Sequence, residues 1–129
     1  MAGIGLGDLE VYRLAHSLGV QLHEFSLRLP KYELYESGSQ LRRASKSVAA
    51  NIVEGFGRRR YKADFVKFLV VALASCDESA EWLRFIGDCH AELRTSSAQF
   101  GEQVHRLSRQ LNSFLRSVEA GHRTRTGRG

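Results

Sequence analysis

Eight lysine and arginine side chains lie between Arg42 and Lys67, opposed only by Glu54 and Asp64, which gives this segment +6 in a chain of formal net charge +5. Arg123, Arg125 and Arg128 add +3 near the C-terminus, so the rest of the chain carries −4. Charge this local creates a field that draws a polyanion, as dispersed charge does not. Long cationic side chains reach several phosphate oxygens, and arginine adds a two-pronged donor fork. Arg42, Lys46, Arg58, Arg59, Arg60, Lys62 and Lys67 are therefore the candidates for nucleic-acid contacts. Phe56 and Tyr61 sit among them, either as platforms for unpaired bases or as caps on the end of the hydrophobic core. An acidic protein would satisfy the same charges as well as RNA or DNA.

Other chemistries find fewer residues. Glu102 and His105 have the local spacing of a di-iron ligand pair, but that site draws on two such pairs and two further glutamates, and no second pair occurs. Cys89-His90 is half a zinc site without its other half. His16 and His23, seven apart on one helix face, also lack further ligands and read as surface or partner-facing. Gly55-Phe56-Gly57 resembles the start of a dinucleotide fingerprint, yet it follows a helix and lacks the third glycine. There is no phosphate loop ending in Gly-Lys-Ser/Thr and no Gly-x-Ser-x-Gly elbow. The expectation is a protein without catalytic residues, metal or other cofactor.

These residues must be positioned by helices. With a single proline in 129 residues and little strict alternation of polar and apolar residues, the pattern is helical throughout. Val11, Leu14, Ala15, Leu18, Leu22, Phe25 and Leu29 mark a first helix, capped by Asp8 and closed by Pro30. Leu41, Ala44, Ser45, Val48 and Ile52 mark a second, capped by Ser37 or Ser39 and stopped at Gly55 and Gly57. The third spans Lys62 to His90, with Phe65, Phe68, Leu69, Ala72, Cys76, Ser79, Leu83 and Ile86 inward. The fourth opens on the capping-box pair Ser96 and Gln99, continues through Phe100, Val104, Leu107, Leu111, Phe114 and Val118, and ends at Gly121. Short connections favour an antiparallel up-down-up-down four-helix bundle. Residues 1–7 are expected to be a flexible N-terminus, 8–120 the bundle and 121–129 a basic C-terminal tail.

Two helix faces exceed what a lone bundle requires. Val66, Val70 and Leu73 form a second apolar stripe on the third helix, which is either a wide core contact or an oligomer interface. On the second helix Arg43, Ser47, Asn51 and Glu54 line up beside the core stripe. They predict a polar seam against the third helix, with Arg43 meeting Glu78 and Glu54 near Lys62. A solvated polar face is the competing reading, since exposed ion pairs contribute only about 0–1 kcal/mol.

Cys76 and Cys89 lie roughly 20 Å apart along one helix, beyond the ~7 Å reach of a disulfide. Reduced thiols fit a cytosolic compartment. The N-terminal residues lack the basic head and apolar run of a secretion signal, and the longest apolar run, Phe68 to Ala74, is too short to span a bilayer. A cytoplasmic protein without a membrane partner is expected.

The run Ser39-Gln40-Leu41-Arg42-Arg43-Ala44, then Ser47, then Asn51-Ile52-x-Glu54-Gly55-Phe56-Gly57-Arg58-Arg59 resembles the signature of the four-helix-bundle proteins encoded in intervening sequences of bacterial 23S rRNA genes. Asp8-Leu9-Glu10-Val11-Tyr12-x-x-Ala15 and Phe65-x-x-Phe68-Leu69-x-x-Ala72-x-Ala74-Ser75-x-x-Glu78 extend the likeness over about residues 8 to 90. The chain departs from that pattern at Ala49, where the family often has proline, and at Tyr12, where it often has tryptophan. Arg60-Tyr61 replaces a frequent serine cap, and Ala80 a second acidic residue. The resemblance implies a bundle assembled into a homopentameric ring, with Val66, Val70 and Leu73 as subunit contacts and no catalytic activity. It also implies kinship with the basic accessory bundles of diversity-generating retroelements, which bind a reverse transcriptase and nucleic acid. The expected partners are thus nucleic acid, with RNA ahead of DNA, further copies of the chain, and a protein partner.

Overall fold

The computed structural model describes residues 4–128 of the backbone and side chains from residue 4 to residue 121. Four α-helices account for most of it: α1 (Glu10–Ser26), α2 (Ser37–Gly57), α3 (Lys62–Cys89) and α4 (Arg94–Arg128). Single 3-10 turns, Leu6–Asp8, Lys31–Glu33 and Ala91–Leu93, precede α1, α2 and α4. No strand occurs among the described residues, and the helices pack as a four-helix bundle in which α3 contacts both α2 and α4 while α1 contacts α2 and α4.

Leu22, Leu41, Ile52, Leu69, Leu83, Ile86, Leu107 and Leu111 are fully buried, so all four helices supply the core. Each such side chain contributes about 1.5–3 kcal/mol by leaving water. Aromatic contacts join neighbouring helices: Phe25 meets Phe100 at 5.0 Å between ring centres, and Phe65 meets Phe114 at 6.0 Å. No helix among the described residues is long and apolar enough to cross a membrane.

Helix ends depart from the expected caps. Leu9, not Asp8, occupies the N-cap of α1, because the Asp8 carboxylate accepts the Gly5 amide at 2.8 Å and closes the preceding turn instead. α1 stops at Ser26, and Leu27, Arg28 and Leu29 continue on i→i−3 bonds toward Pro30, whose ring disfavours helical backbone before it. α2 starts at Ser37 with Glu36 as its uncapped N-cap, so neither Ser37 nor Ser39 caps it. α4 starts at Arg94, straight from the Ala91–Leu93 turn, which puts Ser96 inside the helix rather than at its cap. Gly121 does not end α4: the helix runs on to Arg128, since an interior glycine weakens a helix by only about 1 kcal/mol and does not stop it. The side chains of Arg123, Arg125 and Arg128, and residues Met1 to Gly3, lie outside the described residues.

Gly55 does not stop α2. Expected as a stop, it lies inside α2, buried, where an added Cβ would come within 3.1 Å of the Phe68 Cβ and 3.3 Å of the Phe65 carbonyl oxygen. Its missing side chain lets α2 and α3 approach closely. Gly57 ends the helix as expected.

Candidate functional site

The connection from α2 to α3 is a tight turn closed by backbone bonds from the amides of Arg58, Arg59 and Tyr61 to Gly55, Phe56 and Arg58 carbonyls at 3.0, 3.1 and 2.8 Å. Arg58, Arg59, Arg60 and Tyr61 are all exposed on it. The guanidinium of Arg58 pairs with Glu54 at 3.1 Å and Asp64 at 3.7 Å, and lies 5.1 Å from the Phe68 ring centre. Arg59 donates to the Phe56 carbonyl at 2.8 Å and covers the Phe56 ring at 4.0 Å. Arg60 stands 5.8 Å from the Tyr61 ring, and the Lys67 ammonium 5.9 Å from Phe68. A cation over an aromatic face is held in place by the ring quadrupole, about 0.5–1 kcal/mol at exposed sites. Lys62 opens α3 beside them, half-exposed, with Tyr61 at the N-cap and no side-chain cap.

Five of the seven expected contact cations, Arg58, Arg59, Arg60, Lys62 and Lys67, therefore belong to this turn and the first two turns of α3. The other two lie along α2, ~24 Å (Arg42) and ~18 Å (Lys46) from Arg58 at the helical rise. Lys46 is exposed. Arg42 is a clamp: its guanidinium donates to the Ser26 hydroxyl and the Leu34 carbonyl, both at 2.7 Å, tying α2 to the end of α1 and the turn that follows. Those donors are spent within the chain. Phe56 is half-buried and packs edge-on against Phe65 at 6.4 Å, the role of a core cap, whereas Tyr61 is 61% exposed.

The polar seam has a different partner from the one expected. Ser47 Oγ lies 2.9 Å from Ser75 Oγ across the α2–α3 contact, and the Asn51 amide donates to the Ser47 carbonyl and hydroxyl at 2.8 and 2.9 Å. Glu54 turns instead to Arg58, one helical turn on. Arg43 and Glu78 form no ion pair among the described residues; the Glu78 carboxylate accepts the Trp82 indole N–H at 3.1 Å, and both Arg43 and Glu78 are exposed. The hydroxyl pair fills the seam where two long charged side chains would have to lose water and rotamer freedom. Ser75 belongs to the family-like run from Phe65 to Glu78, but a serine between Ala74 and Cys76 carries no periodic signal that would mark it as the partner of Ser47. On the second stripe of α3, Val66 and Leu73 are half-buried and packed on the core, while Val70 is 50% exposed.

Sequence reasoning also missed Glu33. Its carboxylate accepts a hydrogen bond from the His90 Nε2 at 2.9 Å, with both residues buried, joining the turn before α2 to the end of α3. That bond holds the Glu33 carboxyl below its ordinary range, helped by Ser37 and opposed by burial. His90 is thus paired with a carboxylate rather than with Cys89, which is exposed, and no group of three or more His, Cys, Asp or Glu residues that could hold a metal occurs among the described residues. Burial pushes the Cys76 thiol up to about 12, with Asp77 adding to the effect.

The fold matches a crystal structure from Bacteroides thetaiotaomicron, a protein with unknown function from the S23 ribosomal protein family. The TM-score is 0.70 at 21% identity, over 82% of this chain and 95% of that one. At that identity the likeness speaks for the fold alone. No curated protein matches the chain. The family model described as 23S rRNA-intervening sequence protein matches residues 7–113, a span that takes in α1, α2, α3, the α2–α3 turn and most of α4. With the match running through the arginine turn and the Ser47–Asn51 seam alike, the chain belongs to the 23S rRNA-intervening sequence protein family.

Proposed function

We propose that this protein is a non-enzymatic nucleic-acid-binding bundle, with RNA ahead of DNA as its ligand. In this reading Arg58, Arg59, Arg60, Lys62 and Lys67 form a basic surface that contacts phosphates, with Lys46 as an outlying member. The observation that carries it is the α2–α3 turn, which exposes Arg58, Arg59, Arg60 and Tyr61 together, with the Arg60 guanidinium 5.8 Å from the Tyr61 ring. Cations that neutralise phosphates beside an aromatic that can stack on a base are what single strands select for. The helices alternate in direction, an arrangement supported by the Glu33–His90 contact between one pair of connections and the Phe56–Phe65–Phe114 contacts elsewhere. The resemblance to the family adds assembly into a homopentameric ring through Val66, Val70 and Leu73, and residence in the cytoplasm.

Fluorescence anisotropy with single-stranded RNA and DNA across a salt series tests the proposal. Five phosphate contacts give a log–log slope of about −3.5 on single strands, and Arg58→Ala/Arg59→Ala/Arg60→Ala lowers its magnitude by about 2. No binding to mixed RNA and DNA at low salt sinks it.

A second reading is a protein-interaction scaffold docking an acidic protein or a reverse-transcriptase-like enzyme, since the exposed Arg59, Arg60 and Lys67 suit the carboxylates of a partner as well as phosphates. Binding to polyglutamate as tight as to RNA of equal charge would select it.

A further inference from the structure

We propose that the end of the bundle beside the arginine turn holds a binding site for a single-chain anionic amphiphile, an apolar tail bearing one carboxylate. A cavity of about 550 Å³ opens there, within the ~300–1,000 Å³ range of small-molecule sites. Phe56, Phe65, Phe114 and Val118 supply its apolar walls, and Arg59 and Arg60 also line it. The aromatic contacts among Phe56, Phe65 and Phe114 make those walls part of the packed core rather than a loose surface.

The lining selects the ligand. Guanidinium groups beside an apolar chamber repel a cation and give a neutral tail no added hold, but a carboxylate head can take charge-assisted bonds while its tail leaves water. Arg59 is already oriented by its bond to the Phe56 carbonyl and its stacking on the Phe56 ring. A nucleobase suits the walls less well than a tail does, because its polar edges need partners. The Ser117 hydroxyl in the lining already donates to the Phe114 carbonyl at 2.8 Å. The site shares Arg59 and Arg60 with the proposed phosphate surface, but its apolar walls carry the inference independently of nucleic-acid binding.

Calorimetric titration of the full-length protein with octanoate, decanoate and dodecanoate, each below its micellar concentration, tests the site. Saturable binding of one ligand per chain is expected, tightening about fourfold for each added methylene. Dodecanol should bind at least roughly tenfold more weakly than dodecanoate, and dodecyltrimethylammonium not at all; Arg60→Ala should cost dodecanoate a similar factor. Gly121→Phe provides the blocking variant: Gly121 lines the cavity and a Cβ there meets nothing within 4 Å, so the cavity wall has room for a ring at this position. It should abolish binding without lowering the melting temperature, since replacing a helix-interior glycine favours the helix. The proposal is overturned by absence of saturable binding, by equal affinity for dodecanol and dodecanoate, or by binding that survives Gly121→Phe. Tighter binding of adenosine monophosphate than of dodecanoate, lost in Gly121→Phe, overturns it in favour of a nucleotide pocket.

Discussion

Glu33 and His90 are 6% exposed each, so neither has water to fall back on if the other is removed. A buried polar group stripped of its partner costs about 1–3 kcal/mol, and His90→Ala should lower stability by that amount in urea unfolding. The same pair sets an acid limb. Because the folded carboxyl sits below its ordinary value of 4.5, its contribution is complete above that value and is lost as pH falls through the lower folded one. Wild type should therefore lose more stability between pH 7 and pH 3 than Glu33→Gln, which has no charge to titrate; equal losses would refute the assignment. The thiols divide just as plainly. Cys76 is buried with its thiol raised to about 12, whereas Cys89 is exposed. A disulfide reagent at pH 8 should find one fast thiol in the native chain and the second only on unfolding, because the thiolate is the reacting species.

At the level of helices, apolar periodicity and glycine placement locate α3 within one residue at its end and α2 at its Gly57 terminus, because those signals are local. What they miss is set by neighbours far along the chain. Gly55 looks like a stop signal and is in fact the point where α2 meets Phe65 and Phe68. Gly55→Ala should then destabilise by about 1–3 kcal/mol despite alanine's better helix propensity, because an added methyl at a packed contact forces a shift. Gly57→Ala, with nothing within 4 Å of its Cβ, should be neutral or stabilising by up to about 1 kcal/mol. Thermal unfolding of the two variants side by side separates packing from propensity; a stabilising Gly55→Ala would contradict the close approach. The seam is partly legible for the same reason. Ser47 and Asn51 fall on a readable face, but their partner Ser75 and the diversion of Arg42 to α1 depend on the packed arrangement, which a charge count cannot contain.

Across the whole molecule, the charged segment of the sequence divides into an arginine turn and a structural clamp, so the net field of +5 is less informative than where each guanidinium ends. The apolar surface divides in the same way. Val66 and Leu73 pack on the core and Val70 stands half in solvent, which makes Val70 the member of the expected contact stripe that can be changed without opening the bundle. If the proposed ring uses this face, a charge at Val70 has to lose water on assembly but not on folding. Val70→Glu should then sediment as a 14.5 kDa monomer while wild type sediments at a multiple of that mass. Its unfolding free energy per chain, compared under conditions where both are monomeric, should stay within about 0.5 kcal/mol of wild type, as for other exposed positions. Val20→Glu on α1, where Val20 is 47% exposed, serves as the control that leaves assembly intact. A wild-type chain that remains monomeric at micromolar concentration removes the ring, and a Val70→Glu variant that still assembles moves the interface away from this face of α3.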